Sequence, residues 1–348
     1  MGIRVLIADD SSLARELISA LLSTDKELII AGEAQNGLEA VEKARELKPD
    51  IITMDVEMPV MNGLEAIERI MATNACPILV VTTRADANTA YAAISKGALD
   101  LVVKPDVNLE GAYEFIQKIK MLSKIKVITH LSGKRAVNQE KKVKTTIPAG
   151  AAASRIVAIA SSTGGPEALS VILSGLPSSF PCPIVIAQHN SDGFIPGMVE
   201  WLKRVSKIAI KVAEEGEPLL PATAYVSPSE RHMEITERRR VAFQERHPKD
   251  IYRPSCDLLL SSVARVYQSK AIGVILTGMG SDGARGMREI KSAGGTTMAQ
   301  DEKTCIVYGM PKVAIESGCI DRILSLEEIS GELAMVVARG AGEAAGPR

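Results

Sequence analysis

Short apolar segments alternate with amphipathic segments along the first third of the chain. The apolar segments are IRVLIA, LIIAGEA, DIITM, PILVVTT and LDLVVKP. In the segment that follows each of them, apolar residues recur at i, i+3, i+4 and i+7, which is the spacing of one face of an α-helix. Strands that alternate with helices in this way predict a parallel sheet covered by helices on both faces. We therefore predict a doubly wound, five-stranded parallel α/β domain over residues 1–125.

The alternation stops between residues 126 and 154. This segment has one acidic residue, Glu140, and a set of basic ones: Lys134, Arg135, Lys141, Lys142 and Lys144. A basic segment of this kind contacts nucleic acid or lipid head groups in some proteins, but it is more often a solvated tether. We predict a basic flexible linker over 126–154.

Strand and helix patterns resume after the linker. The predicted strands are RIVAIA, PIVIAQ, KIAIKVA, TAYVS, MEIT, RVAFQ, AIGVILTG, TTMAQ and CIDRIL. The predicted helices cover 166–175, 195–206, 256–268, 283–293, 311–317 and 326–338. Since helices separate most of these strands, we predict a second, larger α/β domain over 155–348. We expect it to be doubly wound and mostly parallel, with an antiparallel excursion near 222–244.

Length, charge and composition narrow the class of protein. A chain of 348 residues is about twice the usual size of one domain, which agrees with two domains. The net charge of −1 and the 3% aromatic content do not provide the basic surface and stacking residues of nucleic-acid-binding proteins. The segment MGIRVLIADD begins directly as a strand, without a signal-peptide layout, and no apolar run approaches the ~20 residues of a membrane span. We expect a cytoplasmic protein with no nucleic-acid partner and no membrane insertion.

Polar residues follow the strands of the first domain, where a parallel sheet gathers ligand-binding side chains. In chain order they are Asp9, Asp10, Asp55, Thr82 and Lys104. An aspartate after a strand often serves only as a helix N-cap, a role open to Asp10 or Ser11. The irregular segment VEMPVMNG after Asp55 does not read as a first helical turn. Clustered carboxylates repel unless a hard cation such as Mg²⁺ joins them, so we predict a cation site there.

The segment ASSTGGPEAL, residues 160–169, joins a predicted strand to a predicted helix of the second domain. Three roles fit its hydroxyls and glycines: a helix N-cap, an anion cradle of backbone N–H groups, and a nucleophile held on a sharp bend. The segment lacks the spacings G-x-x-x-x-G-K-[ST] and G-x-G-x-x-G, which makes a nucleotide site the less favoured role. A serine nucleophile needs a base and an orienting carboxylate nearby.

One of the four histidines is predicted to lie at the same sheet edge as this turn. His189 follows the buried strand CPIVIAQ, whereas His130 borders the linker, His232 precedes a short polar hairpin and His247 lies in a loop. Asp282, in the glycine-rich turn GMGSDGARG, follows another strand, although it also suits an N-cap of the next helix. Serine, histidine and aspartate at the ends of three strands match the logic of a catalytic triad.

The motifs LIADDS, DIITMDVEMPVMNGLEA, VVTT and VVKP resemble the receiver domain of bacterial response regulators. The resemblance implies that Asp55 accepts a phosphoryl group from a histidine kinase, and that Thr82 and Lys104 contact the phosphoryl oxygens. It also implies an Mg²⁺ site, with Asp9 acting through water and Glu57 through its backbone carbonyl. The implied residues of that site are Asp9, Asp10, Asp55 and Glu57.

The motifs IASSTGGPEAL, AQH, RPSCDLLLSSVA, ILTGMGSDGARGM and AQDEKTCIVYGMPKVAIESG resemble the catalytic domain of the chemotaxis protein-glutamate methylesterases. By this resemblance Ser162 is the nucleophile, His189 is the base and Asp282 is the acid that orients the base. The oxyanion hole falls on the backbone N–H groups of Thr163 and Met279. The esterase chemistry is expected to need no cofactor.

Together the two resemblances imply a phosphorylation-activated serine esterase. It would hydrolyse glutamyl methyl esters on methyl-accepting chemoreceptors to glutamate and methanol, and deamidate receptor glutamines. Its phosphoryl donor would be the chemotaxis histidine kinase. The alternative is a response regulator whose second domain only binds a ligand or a partner such as DNA. The chain has no helix-turn-helix pattern and few aromatic residues, which disfavours DNA.

Overall fold

A computed structural model of the chain describes residues 2–83, 87–105, 109–127, 155–247 and 250–343. The chain divides between residues 140 and 141 into two compact units. Residues 128–154 of the predicted linker lie outside the described residues, and the predicted limits of the domains and linker stay predictions.

The described residues of the first unit form five strands and five helices. The strands are β1 (Ile3–Ala8), β2 (Leu28–Ala34), β3 (Ile51–Met54), β4 (Ile78–Thr82) and β5 (Asp100–Val103). The helices are α1 (Ser12–Leu22), α2 (Gly37–Leu47), α3 (Gly63–Thr73), α4 (Ala87–Ser95) and α5 (Leu109–Leu122). All strand pairs are parallel, in the order β2-β1-β3-β4-β5. The predicted five-stranded parallel sheet is confirmed.

The sequence pattern of this unit explains its geometry. Every residue of β3 and β4 is buried, as expected for inner strands of a parallel sheet with helices on both faces. Helix α1 begins after Ser11, whose side chain accepts a hydrogen bond from Ala14 N–H. Ser11 is therefore the N-cap of α1, and Asp10 is left for another role.

The second unit has nine strands and six α-helices among its described residues. The strands are β6 (Ile156–Ser161), β7 (Ile184–Gln188), β8 (Ala209–Val212), β9 (Thr223–Val226), β10 (Arg231–Ile235), β11 (Val241–Glu245), β12 (Ala271–Ile275), β13 (Thr296–Gln300) and β14 (Arg322–Leu324). The helices are α6 (Gly165–Gly175), α7 (Ile195–Val205), α8 (Cys256–Tyr267), α9 (Ala284–Ser292), α10 (Met310–Glu316) and α11 (Leu326–Glu343).

Seven of these strands form one parallel sheet in the order β14-β13-β12-β6-β7-β9-β8. Strands β10 and β11 form a separate antiparallel pair. The mostly parallel fold with an antiparallel excursion is confirmed, but the excursion is shorter than the predicted 222–244 at its start. Strand β9 pairs in parallel with β7 and β8, so the antiparallel part begins at Arg231.

The order of the central strands positions the second candidate site. Strands β12, β6 and β7 are direct neighbours, and all their residues are buried. Their carboxyl ends, which carry the predicted aspartate, serine and histidine, therefore meet at one edge of the sheet. Among the described residues, no helix combines the length and apolar content that a membrane crossing requires.

Candidate active site

The first candidate site lies at the carboxyl ends of β1 and β3. Carboxylate oxygens of Asp9, Asp10 and Asp55 lie within 4.8 Å of one another. Asp9 and Asp55 are buried, and Asp10 is exposed. Arg15 does not neutralise these carboxylates, because its guanidinium bonds the backbone carbonyls of Asp9 and Asp10 and the carboxylate of Glu33. The fold thus brings together the three aspartates that the sequence pattern singled out.

Lys104 is the cation that pairs with these carboxylates. Its Nζ lies 2.7 Å from Asp9 Oδ2 and 2.8 Å from Asp55 Oδ2. Burial raises the pKa of Asp55 to about 6, and the hydrogen bond from Lys104 offsets only part of this effect. Burial also opposes the charge of Lys104, but its hydrogen bonds to Asp55 and Asp9 outweigh burial and raise the pKa of the lysine. Among the described residues, Lys104 is the one cation paired within this cluster of three carboxylates, so the described part of the site carries more negative than positive charge.

Further observations at this site fit a hard cation and a phosphoryl group. Clustered carboxylate oxygens are the ligands that Mg²⁺ takes in proteins. The hydroxyl of Thr82, at the end of β4, is buried and has no hydrogen-bond partner among the described residues. An unpaired buried hydroxyl costs free energy unless a bound group uses it. Glu57 follows Asp55 by two residues, and within the described ranges its carbonyl oxygen accepts no hydrogen bond.

The second candidate site begins at the turn between β6 and α6. Gly164 has φ +77°, a left-handed conformation that glycine adopts without strain. Ser162, which is half-buried, donates its N–H to Thr277 O at 3.0 Å and accepts Gly165 N–H at its carbonyl at 2.8 Å. In the part of the chain that is described, no side chain caps α6. The N-cap role that the sequence left open is therefore wrong for these hydroxyls.

His189 and Asp282 form a hydrogen-bonded pair beside this turn. His189 follows β7, and its Nε2 lies 2.8 Å from Asp282 Oδ2. The backbone N–H of His189 donates to Ser161 O at 3.0 Å, which continues the pairing of β6 and β7. Asp282 lies in the loop after β12, on the other side of β6. The strand ends therefore present Asp282, Ser162 and His189 in that spatial order.

The carboxylate of Asp282 is saturated with donors from its own chain. The donors are the N–H groups of Cys256 (2.6 Å), Asp257 (2.9 Å) and Gly283 (3.1 Å) and the hydroxyl of Ser255 (3.3 Å). Burial opposes ionisation, but the hydrogen bonds from His189 and from these backbone groups lower the pKa of Asp282. Asp282 thus accepts hydrogen bonds from the first N–H groups of α8. The alternative that it caps the next helix, α9, is wrong, since the N-cap of α9 is Gly283 and forms no side-chain cap bond.

The loop after β12 approaches the serine closely. A Cβ atom at Gly278 would lie 2.6 Å from Ser162 Cβ, so glycine is required there. The N–H groups of Thr163, which is buried, and Met279, which is 42% exposed, donate to no acceptor among the described residues. Within the same ranges no hydrogen bond joins Ser162 Oγ to His189. Such a bond commonly tightens only when substrate binds.

Two residues that contact His189 were not predicted as site residues from the sequence. The ring of Tyr252 stacks on the imidazole, with centroids 5.1 Å apart and 16° between the planes. The Sγ of Cys256, at the start of α8, lies 3.4 Å from His189 Nε2. Their segment, RHPKDIYRPSCD, reads as a polar loop and carries no periodic pattern that would place it against β7.

The other histidines take no part in the pair. His232 lies inside β10 instead of before the hairpin, which corrects the sequence interpretation. It is buried, its Nε2 lies 2.9 Å from Asp250 Oδ2, and its Nδ1 accepts Ser255 N–H at 2.9 Å. His247 donates its N–H to Asp250 Oδ2 at 2.6 Å. His130 lies outside the described residues.

Comparisons with known proteins agree with this geometry. A family model described as response regulator receiver domain matches residues 5–114, and one described as CheB methylesterase matches residues 157–333. The chain belongs to the CheB methylesterase family. Both resemblances drawn from the sequence motifs are confirmed, and a member of this family is a hydrolase.

Relatives match nearly the whole chain. Protein-glutamate methylesterase/protein-glutamine glutaminase 3 of Paramagnetospirillum magneticum is 45% identical over 98% of this chain and 98% of its own. The protein-glutamate methylesterase/protein-glutamine glutaminase of Pyrococcus abyssi is 40% identical over 98% of this chain and 95% of its own. The crystal structure of the Thermotoga maritima CheB methylesterase catalytic domain is 39% identical, with a TM-score of 0.51, and covers 52% of this chain and 98% of its own.

Proposed function

We propose that the chain is a phosphorylation-activated esterase that hydrolyses glutamyl methyl esters on chemoreceptors to glutamate and methanol in chemotaxis adaptation. The observation that carries this proposal is the His189–Asp282 pair at the strand end next to Ser162, in a member of the CheB methylesterase family. A serine needs such a base and orienting acid to become a nucleophile. The cytoplasmic location expected from the sequence is part of the same proposal.

Ser162 acts as the nucleophile. As Ser162 Oγ attacks the ester carbonyl, its proton passes to the ring nitrogen of His189 that does not bond Asp282. Asp282 stays ionised, holds the imidazole and stabilises the imidazolium. His189 then gives the proton to the departing methoxide oxygen, so methanol leaves and an acyl-enzyme ester forms. His189 deprotonates a water that attacks this ester, which releases glutamate and restores the Ser162 hydroxyl.

The N–H groups of Thr163 and Met279 bind the oxyanion of the tetrahedral intermediate. Each donor of this kind typically contributes about 10²–10³-fold in rate. An amide follows the same path with ammonia as the leaving group. Since the relatives are also named protein-glutamine glutaminase, deamidation of receptor glutamines belongs to this proposal.

Asp55 of the receiver accepts the phosphoryl group. Its carboxylate attacks the phosphorus of the phosphohistidine of a chemotaxis histidine kinase, so an acyl phosphate forms and the histidine leaves. The Thr82 hydroxyl and Lys104 Nζ bind phosphoryl oxygens. Asp10, Asp55 and the Glu57 carbonyl, with Asp9 acting through water, would hold Mg²⁺, which would neutralise phosphoryl charge. The acyl phosphate carries about −1.5 to −2 charges in place of the single negative charge of the carboxylate, and this change activates the esterase.

The test is methanol release from methylated receptor membranes by the full-length protein, with and without a small-molecule phosphodonor and Mg²⁺. We expect release to rise with the phosphodonor, to lose that rise in Asp55→Ala, and to disappear in Ser162→Ala. Ser170→Ala is the matched control, because that hydroxyl bonds the Glu167 carbonyl within α6. Undiminished release by Ser162→Ala would overturn the proposal. No release under any condition would favour the alternative in which the second unit only binds a partner.

A further inference from the structure

The side chain of Gln188, the last residue of β7, is buried between the two segments that carry the serine and the histidine. It is 2% exposed. Its Nε2 donates to Ser162 O at 2.8 Å and to His189 O at 2.7 Å. Its Oε1 accepts the hydroxyl of Ser161 at 2.7 Å. A single amide group therefore bonds the backbone on both sides of the site.

The orientation of this amide is fixed by its partners. A primary amide has two N–H donors and one acceptor oxygen, and here both donors face carbonyl oxygens while the acceptor faces a hydroxyl. The reverse orientation would set Oε1 against the carbonyls of Ser162 and His189. The turn also makes room for the group, because a Cβ atom at Gly165 would lie 1.9 Å from Gln188 Oε1. Gly165 is thus required by the amide as well as by the bend.

We propose that Gln188 is a positioning residue that fixes the Ser162 turn against His189 for proton transfer. The proposal rests on the proposed roles of those two residues. Regular pairing of β6 with β7 ends at Ser161, beyond which the two backbones leave the sheet. The Gln188 amide spans that gap. A misplacement of about 1 Å in a catalytic site can cost about 10²-fold in rate, so loss of this bridge slows the chemical step.

Two substitutions separate the hydrogen bonds of Gln188 from its volume. Gln188→Met keeps the length of the side chain and removes all three hydrogen bonds. Gln188→Glu keeps the acceptor for Ser161, but at neutral pH it faces two carbonyl oxygens without a donor. Burial raises the pKa of a carboxyl group introduced there, so lowering the pH restores one donor.

We expect kcat for phosphodonor-activated methanol release by the full-length protein to fall about 10²-fold in Gln188→Met, with KM within about twofold of wild type. The ratio of kcat in Gln188→Glu to that of wild type should rise as the pH falls from 8 towards about 5. The same ratio for Gln188→Met should stay flat. Because an ionised carboxylate buried there also destabilises the fold at high pH, kcat is calculated per folded enzyme, with the folded fraction of each variant measured at each pH.

Thr297→Val is the control for a lost buried hydrogen bond. Thr297 Oγ1 donates to Cys319 O near the opposite end of the same sheet, so its loss should lower the thermal midpoint and leave kcat unchanged. If Gln188→Met does not fold, Ser161→Ala removes one bond of the bridge, and a severalfold fall in kcat at unchanged KM is expected.

The outcomes separate this inference from the proposed function. A wild-type kcat in folded Gln188→Met, or equally flat pH ratios for the Met and Glu variants, would overturn the positioning role. If Ser161→Ala is used instead, an unchanged kcat would also overturn the positioning role of Gln188. If Ser162→Ala is inactive in the same assay, only the role of Gln188 fails. Activity in Ser162→Ala would instead remove the proposed nucleophile.

Discussion

The two candidate sites occupy the same place in their sheets but shift the pKa of a buried carboxylate in opposite directions. Both lie at the carboxyl ends of parallel strands. In the first unit, burial raises the pKa of Asp55 to about 6, and the hydroxyl of Thr82 has no partner among the described residues. In the second unit, Asp282 is also buried, but donors from its own chain lower its pKa.

The difference in pKa indicates which additional groups each site must bind. Asp282 lies at the N-terminus of α8, where backbone N–H groups and the positive end of the helix dipole stabilise a negative charge. Among the described residues, Lys104 is the one cation that pairs with Asp9 and Asp55 of the first site. A site completed by its own chain needs only substrate. The first site, with more negative than positive charge and an unpaired Thr82 hydroxyl among the described residues, requires a bound cation and a bound phosphoryl group.

The largest expected effect comes from breaking the completed site. Asp282→Asn replaces a saturated carboxylate by an amide, so His189 loses the acceptor that holds the imidazole. We expect kcat/KM for methanol release to fall about 10⁴-fold, the size of effect that this substitution has in a serine-histidine-aspartate triad. Asp321→Asn is the control, because Asp321 also has a lowered pKa and accepts from Thr297 N–H away from the site. A fall of less than tenfold in Asp282→Asn would refute the orienting role.

The second effect concerns the shortage of positive charge in the first site. Lys104→Met removes the cation and leaves buried Asp9 and Asp55 unpaired, which should cost the receiver about 3 kcal/mol in free energy of unfolding. Mg²⁺ should restore much of that loss. Lys118→Met breaks the comparable pair of Lys118 with buried Asp100 at the start of β5. Denaturant unfolding with and without Mg²⁺ is the measurement, and equal rescue of both variants would contradict a specific cation site.

The third effect compares the stability of the second unit across pH. Because the pKa of Asp282 is lowered on folding, its ionised form stabilises the unit above the pKa of about 3.9 in the unfolded chain. This contribution is lost as the pH falls through the lower folded value. We expect Asp282→Asn to lower the free energy of unfolding by about 2 kcal/mol at pH 7. The difference in stability between wild type and variant should begin to shrink only below about pH 4. Thermal midpoints measured from pH 7 to pH 3 test this expectation. Ser162→Ala is the control, because its difference in thermal midpoint from wild type should not depend on pH.

The smallest effect on stability is expected at Thr82. Thr82→Val removes a hydroxyl that has no partner in the described ranges, so the free energy of unfolding should change by no more than about 0.5 kcal/mol. The rate of phosphorylation by a small-molecule phosphodonor should nevertheless fall. Thr53→Val removes another buried hydroxyl without a described partner, in the neighbouring strand β3, and should leave that rate unchanged. Equal phosphorylation rates in both variants and wild type would show that the Thr82 hydroxyl does not bind the phosphoryl group.

The sequence was informative where chemistry follows directly after a strand. Asp55 and His189 come directly after a buried strand, and Asp282 lies in the loop that follows another; apolar periodicity alone located these strands. The boundary of the antiparallel part was wrong for a physical reason. The connection from β8 to β9, residues 213–222, contains no helix, yet it joins parallel strands, which usually requires a longer crossover.

The contacts that complete the second site were beyond sequence reasoning. Cys256 and Tyr252 reach His189 from a segment more than sixty positions away along the chain. The Gln188 side chain reads as an ordinary strand end, and its role depends on the exact path of the Ser162 turn. Such contacts are set by tertiary packing and leave no period in the sequence.

The order β12-β6-β7 has a consequence for a chain that is still being made on the ribosome. Strand β7 follows β6 within a few tens of residues, but β12 begins at Ala271 and Asp282 comes later still. Until then one edge of β6 has no neighbour to pair with, and an unpaired strand edge invites mispairing with other chains. A nascent chain of this length contains Ser162 and His189 but not Asp282, so the proposed catalytic triad is completed only late in the synthesis of the protein.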